Sequence, residues 1–185
     1  GVLSLIGGLK FGMFTVALLG VVLFITGVYR FTKVLIPNEK VAGYAAIMAV
    51  FSSCFVETLH IFGQLPSIIG ISILMHALPE VYKWLKTGKK LFLFKALALL
   101  AVTVTSHHVT PIFGMVFFIF PLIGTVIMDA AREKVNSNKE ITFSAFAKAF
   151  WNKLRRIVLF GTCSLILIIG CILPYWINTK NNPIT

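Results

Sequence analysis

Five polar side chains in two short segments are of the types that bind ligands or metal ions. The segment ETLHIFGQLPS carries Glu57, His60 and Gln64, and the segment TSHHVT carries His107 and His108. Both segments lie in apolar sequence, where a strongly polar side chain costs about 2.5–3.5 kcal/mol at mid-membrane and is usually retained for function. These five residues are therefore the candidate site.

Two kinds of chemistry suit these residue types. Glu57 and His60, three residues apart, share a helix face, as ligands do in carboxylate-bridged metal sites, and His107 and His108 add further nitrogen ligands. The second Glu-x-x-His motif of such sites is absent, so we assign no metal and keep a divalent cation as the lesser alternative. Alternatively, the cluster supplies donors and an acceptor for the hydroxyls and phosphate of a sugar or lipid headgroup.

Composition assigns these segments to membrane helices. Hydrophobic residues make up 58% of the 185 residues and the mean hydropathy is +0.93, which excludes an ordinary water-soluble domain. We predict an all-α, polytopic membrane bundle forming one domain, with spans of about 20 residues or slightly fewer. The predicted spans are residues 11–29, 41–59, 65–83, 91–106, 110–128 and 156–174.

The distribution of Lys and Arg predicts the orientation of these spans. The net charge of +11 would suggest a nucleic-acid partner in a soluble protein, but here all 17 Lys and Arg residues except Lys10 and Lys180 lie in or beside alternate connections. The positive-inside rule then makes the basic loops cytoplasmic and both ends of this chain extracytoplasmic. We expect a prokaryotic cell (inner) membrane, a lipid bilayer as partner, and no nucleic acid.

A further amphipathic segment precedes the last span. Phe143, Phe146, Phe150 and Trp151 recur at helical spacing with polar residues between them. We predict a cytoplasmic interfacial helix over residues 140–154 that lies on anionic lipid.

This topology puts the candidate site at one side of the membrane. Glu57, His60 and Gln64 fall at the outer end of span two and the turn that follows, and His107 and His108 fall at the next outer turn. We therefore predict an extracytoplasmic pocket. On the inner side, we expect Glu80 to pair with Lys83 one turn on and His76 to pack between helices.

Two short motifs in this order resemble a known family. They lie in FVETLHIFGQLPSIIGISILMHALPEVYKW and LALLAVTVTSHHVTPIFG, and the residues that carry them are Gly63, Gln64 and Pro66, then Ser106, His107, His108 and Thr110. The order is similar to the membrane region of GT-C-type glycosyltransferases, particularly membrane proteins related to 6-pyruvoyl-tetrahydropterin synthase. The similarity is expected over roughly residues 11–176.

The resemblance implies inverting transfer of a sugar from a polyprenyl-phosphate donor to an extracytoplasmic acceptor. Glu57, His60, Gln64, His107 and His108 would then bind the donor phosphate or sugar, and no cofactor is implied. Such enzymes normally take a catalytic base from a first outer loop, which this chain lacks, so the base is unassigned. Because Gly1 is not an initiator Met, we expect the chain to be part of a longer one. The alternative is a noncatalytic membrane subunit that packs against partner subunits.

Overall fold

The computed structural model of the protein describes residues 2–60, 64–133 and 142–181, and all regular structure in these ranges is helical. The elements are α1 (Val2–Leu35), α2 (Glu39–Val50), α3 (Ser53–His60), α4 (Leu65–Thr87), α5 (Lys90–Ser106), α6 (Thr110–Gly114), a π-helical turn (Met115–Ile119), α7 (Phe120–Arg132) and α8 (Phe143–Asn181). The predicted all-α fold is confirmed.

Helix α4 is the centre of the bundle. In the most apolar 18-residue stretch of α4, 61% is buried, against 11% in α8. Helix α1 runs parallel to α4, because Ser72 of α4 donates to the carbonyl of Gly20 (2.9 Å) and, further along both helices, Arg30 contacts Glu80 (3.2 Å). Two parallel neighbours require α2 and α3 to return the chain between them.

A polar network crosses the α1–α4 interface. Glu80 accepts hydrogen bonds from Lys83 (3.3 Å) and Arg30 (3.2 Å), so the pairing predicted from sequence is confirmed and gains a second cation from α1. His76 packs between the two helices as predicted, with Nε2 donating to the carbonyl of Leu23 (3.0 Å) and Nδ1 beside Arg30 Nη1 (2.9 Å). A nearly buried carboxylate needs such partners, because an unpaired one would be costly.

The span predicted over residues 41–59 is not one continuous helix. Helix α2 ends at Val50 and α3 begins at Ser53, and the hydroxyl of Ser52 donates to the carbonyl of Ala49 (2.7 Å). A serine side chain that bonds a nearby backbone group offers the chain an alternative to the helical pattern, and the helix breaks here. Hydrophobicity alone did not reveal this break.

The interfacial helix predicted over residues 140–154 does not end at residue 154. The part of this segment that the structure describes belongs to α8, which runs without interruption into the predicted last span. Residues 151–160 contain neither Gly nor Pro, so nothing ends the helix between the two segments. Phe146 and Phe150 pack near Ile127 and Ala131 of α7, so part of the apolar face is covered by protein. Residues 140 and 141 lie outside the described residues.

The segment Thr110–Arg132 forms one span from three consecutive elements. Pro111 lies in the first turn of α6, where its missing N–H has no helical partner to lose. Pro121 follows the π-helical turn, and a proline in a continuing helix clashes with the carbonyl four residues earlier. The wider π turn accommodates this proline and keeps the span continuous.

Four helical segments in the described ranges are long and apolar enough to cross a bilayer, and the protein is therefore an integral membrane protein. They are Gly7–Leu35, Leu65–Thr87, Thr110–Arg132 and Phe146–Asn178. Helical segments of at least 18 residues cover four of the six predicted spans. Helices α2 and α3 are too short, and α5, which agrees closely with residues 91–106, has 17 residues.

The bundle has two chemically different ends. At the basic end, the turn between α4 and α5 meets the first half of α8, where Arg156 donates to the carbonyls of Leu85 (2.9 Å) and Lys86 (2.8 Å). At the polar end, the start of α4 meets the turn between α5 and α6. The basic connections and the predicted site thus lie at opposite ends of α4.

Candidate functional site: a cavity at the polar end

A chain of four hydrogen-bonded side chains joins the two predicted outer turns. Ser67, in the first turn of α4, donates to Gln64 Oε1 (3.1 Å) and lies 3.2 Å from His107 Nε2. On the other side of the ring, His107 Nδ1 lies 2.8 Å from Thr110 Oγ1. Two predicted site residues, Gln64 and His107, are therefore brought together although 43 positions separate them in the sequence.

The neutral form of His107 can make both hydrogen bonds of this series of side chains. With its proton on Nε2, the ring donates to Ser67 and accepts from the Thr110 hydroxyl, and each polar atom has one role. Burial lowers the pKa of His107 below its usual value, and the neighbouring ring of His108 lowers it further. The site therefore presents neutral donors and acceptors at physiological pH.

Gly70 makes this arrangement possible. A Cβ at this position of α4 would lie 2.9 Å from Thr110 Oγ1 and 3.2 Å from His107 Cβ. Only a residue without a side chain lets the α5–α6 turn approach the helix this closely.

The four hydrogen-bonded side chains lie at the edge of a cavity of about 440 Å³. Its polar lining comprises Ser52, Cys54, Thr58, Gln64, Ser67, His107 and Thr110. Its apolar lining comprises Phe24, Phe55, Ile68, Ile71, Met75, Phe113 and Phe118. We call it the polar-end cavity. An apolar pocket with a few convergent polar groups is the usual form of a small-molecule site.

A second, almost wholly apolar cavity adjoins the first. It has a volume of about 590 Å³, is lined by residues of α1 to α4 such as Leu18 and Val50, and shares Phe55 with the polar-end cavity. Phe55 stacks on Phe24 with ring centroids 4.4 Å apart, and both are largely buried. The short helix α3 therefore places Phe55, stacked on Phe24 of α1, at the boundary between the two cavities.

Among the side chains that the structure describes, those of Glu57 and His108 do not line the polar-end cavity. Glu57 is exposed on α3, although its neighbour Thr58 is a lining residue. His108 is exposed, with its ring centroid 5.8 Å from that of His107. His60 is the last residue of α3, and its side chain lies outside what the structure describes.

The metal-ligating side chains do not form a cluster in the described part of the chain. Among the residues that the structure describes, no three His, Cys, Asp or Glu side chains are close enough to hold a metal ion. The hydrogen bonds of His107 instead go to hydroxyl groups of Ser67 and Thr110.

Sequence reasoning missed Ser67 and Gly70. Ser67 lies three residues after Gln64 and Gly70 three residues after Ser67, so the three share a face of the first turns of α4. That spacing was visible in the sequence, but its partner, the α5–α6 turn, was not.

Comparison with known proteins yields no relative: no protein family, no curated protein and no solved structure matches this chain. The fold and the site by themselves define the class, a helical integral membrane protein with a cavity that has a polar edge and apolar walls.

Proposed function

We propose that this chain is the membrane-embedded part of a glycosyltransferase that moves a sugar from a polyprenyl-phosphate donor to an acceptor on the extracytoplasmic side. The observation that carries the proposal is the side-chain series from Gln64 to Thr110 at the edge of a cavity with aromatic and aliphatic walls. A polyprenyl phosphate has the matching form, a hydrogen-bonding head on a long apolar tail.

Different residues contact different parts of the polyprenyl-phosphate sugar. On binding, His107 and Ser67 exchange their hydrogen bonds to Ser67 and Gln64 for bonds to phosphate or sugar oxygens, and the Gln64 amide both donates and accepts. The apolar lining around Phe55 receives the first isoprenoid units. The adjoining apolar cavity supports a path for the rest of the tail.

Transfer forms a bond between an acceptor oxygen and the anomeric carbon and breaks the bond from that carbon to the donor phosphate. The acceptor proton must pass to a base. The described part of the chain puts no carboxylate in the cavity lining, so we assign binding to these residues and leave the base unassigned. The basic end, opposite the cavity, supports a cytoplasmic location for the basic loops and an extracytoplasmic one for the site.

Binding of geranylgeranyl phosphate tests the proposal directly. A ligand that binds only the folded protein raises its thermal stability in proportion to the logarithm of its concentration. We expect the melting temperature of the purified chain in detergent to rise with the logarithm of the geranylgeranyl phosphate concentration, and to rise much less with geranylgeraniol. Equal effects of the phosphate and the alcohol would contradict recognition of the head.

Matched variants locate the binding. Ser67→Ala with His107→Ala removes two members of the side-chain series and should weaken binding about tenfold or more, at about 1 kcal/mol per lost hydrogen bond. Glu57→Gln with His108→Ala changes two exposed residues outside the lining and should leave binding unchanged. The opposite ranking would move the site away from the polar-end cavity. Sugar transfer from a polyprenyl-phosphate donor by membranes containing the chain is then the assay of activity.

The second candidate is a noncatalytic membrane subunit. The observation that favours it is the cavity lining itself, in which the described residues include hydroxyls, an amide and an imidazole but no carboxylate. A noncatalytic subunit would bind the lipid phosphate but show no sugar transfer until a partner subunit is added. Transfer by the chain alone would exclude it.

A further inference from the structure

The basic end contains a second site-like feature, a cavity of about 460 Å³ between the α4–α5 turn and α8. Its lining combines three cations, Lys90, Arg155 and Arg156, with the apolar side chains of Leu93, Phe94 and Leu159. No acidic residue is among the described residues that line it. We call it the basic-end cavity.

Arg156 is held rigidly in this cavity. Its Nη1 donates to the carbonyls of Leu85 and Lys86, which are among the last four of α4 and have no partner within the helix. Gly88, in a left-handed conformation (φ 72°), packs against the guanidinium, because a Cβ there would lie 2.8 Å from Arg156 Cζ. In addition, Trp84 Nε1 donates to the Arg156 carbonyl (3.1 Å). A cation held in place before binding loses little conformational entropy when a ligand arrives.

The lining of the cavity is partly exposed on the outer surface of the bundle. Lys90 and Arg155 are exposed, Phe94 is 67% exposed and Leu159 is 42% exposed. Exposed apolar side chains beside exposed cations match a molecule with an anionic head and an acyl chain. Basic pockets between membrane helices on the cytoplasmic side bind anionic headgroups.

We propose that the basic-end cavity is a binding site for an anionic phospholipid. Lys90 and Arg155 contact the phosphate, the fixed guanidinium of Arg156 adds positive charge, and the acyl chain lies along Phe94 and Leu159. This site is independent of the polar-end cavity and of the glycosyltransferase proposal. Its ligand is a lipid of the inner leaflet.

Trp84 provides the probe, because it lines the cavity and the chain has 3 Trp residues. In the variant Trp151→Phe/Trp176→Phe, Trp84 is the only fluorophore of its kind. The protein is reconstituted in vesicles of phosphatidylcholine with a fixed minor fraction of phosphatidylglycerol. Bromine is carried either by the phosphatidylglycerol or by an equal amount of phosphatidylcholine, so that the surface charge is identical in both samples.

We expect brominated phosphatidylglycerol to quench Trp84 with an apparent association about 25-fold stronger than brominated phosphatidylcholine, since Lys90 and Arg155 each contribute roughly fivefold. Lys90→Gln/Arg155→Gln should abolish the preference. Lys40→Gln/Lys148→Gln, which removes two exposed charges outside the cavity, should retain it. The parent protein is the variant Trp151→Phe/Trp176→Phe. Equal quenching by both brominated lipids in this parent, or equal loss of the preference for phosphatidylglycerol in both charge variants, would overturn the proposal.

Two further measurements complete the test. Inorganic phosphate should reduce the quenching no more than NaCl of equal ionic strength, and a larger reduction would make a soluble phosphate the ligand and overturn the assignment to a lipid. In the parent protein, the preference should fall as NaCl rises. A preference that is independent of salt would overturn the electrostatic argument even if a charge variant fails to fold.

Discussion

The two cavities at opposite ends of α4 offer hydrogen bonds of different kinds. The polar-end cavity is edged by neutral groups, and His107 accepts from one hydroxyl and donates to another. The basic-end cavity is edged by permanent charges, and Arg156 is fixed by backbone carbonyls. In both, a glycine allows the close approach: Gly70 at the polar end and Gly88 at the basic end.

Under the two proposals, this difference explains how one bundle would distinguish two phosphate-bearing lipids. Neutral donors in a partly buried place recognise the shape and hydrogen-bonding pattern of a headgroup, and their strength depends little on salt. Exposed cations recognise charge with less regard to shape, and salt weakens them. Binding at the polar end should therefore be selective and salt-tolerant, and binding at the basic end should be general for anionic lipids and salt-sensitive.

Phe55→Ala should have the largest effect on the polar end. Phe55 is 7% exposed and stacks on Phe24, so its removal joins the two adjoining cavities and should lower the free energy of unfolding by about 3 kcal/mol or more. Thermal or denaturant unfolding in detergent measures the loss. Phe117→Ala is the control, because Phe117 is 64% exposed and its loss creates no internal cavity. Similar losses in both variants would contradict a packing role for Phe55.

Gly88→Ala should disturb the basic end next most strongly. The left-handed conformation costs a residue with a side chain about 1–2 kcal/mol, and the new Cβ must also displace the Arg156 guanidinium. We expect a loss of about 2 kcal/mol in stability together with loss of the preference for phosphatidylglycerol.

The matched control for this change is Gly43→Ala. A Cβ at Gly43 meets nothing within 4 Å, and the residue lies inside α2, so the substitution should stabilise the protein by about 0.5–1 kcal/mol. A preference for phosphatidylglycerol that survives Gly88→Ala would show that fixing Arg156 is unnecessary.

Gly70→Ala should separate the two ends most cleanly. The new Cβ forces Thr110 and His107 away from α4, which we expect to cost about 1–2 kcal/mol of stability and to abolish the thermal shift with geranylgeranyl phosphate. The quenching of Trp84 by brominated phosphatidylglycerol should not change, because distant sites are independent. Loss of both signals would mean that the variant perturbs the whole bundle.

The smallest expected effect is the pH dependence from His107. Its pKa is lowered in the folded protein, so the unfolded state binds more protons between the lowered value and the usual value near 6.5. The stabilisation contributed by neutral His107 is full above the usual pKa and is lost as the pH falls through the lowered one. Unfolding measured across this range should show a shallower acid dependence in His107→Gln than in His108→Gln. Equal slopes in the two variants would contradict a lowered pKa of His107.

Local sequence predicted some elements better than others. Helix α5 agrees with the predicted span 91–106 to within one residue, and α4 begins at the predicted residue 65, where Pro66 is a local signal of a helix start. Helix α4 continues to Thr87, four residues beyond the predicted end at residue 83, and Gly88 follows it as the C-cap. The break at Ser52 was missed because hydropathy averages over a window and does not register one side-chain hydrogen bond. The continuity of α8 was missed because a change from amphipathic to apolar sequence was interpreted as a change of element.

The candidate site was partly predictable for the same reason. Gln64 and His107 stood out as polar residues in apolar sequence, and the alternation of basic connections indicated that their turns share one end. Ser67 did not stand out, since serine is common in membrane helices, and its importance arises only from the His107 ring 3.2 Å away. Glu57 stood out more than Gln64, yet its side chain is exposed and outside the lining.

The amino-acid sequence by itself determined the class of this protein, because apolar composition, helix length and the placement of charge are properties of the chain that need no partner. Only the tertiary structure decided which polar residues act together. A helix face shows its spacing in the sequence, but the meeting of α4 with the α5–α6 turn at Gly70, and with Arg156 at Gly88, depends on how closely separate helices can pack.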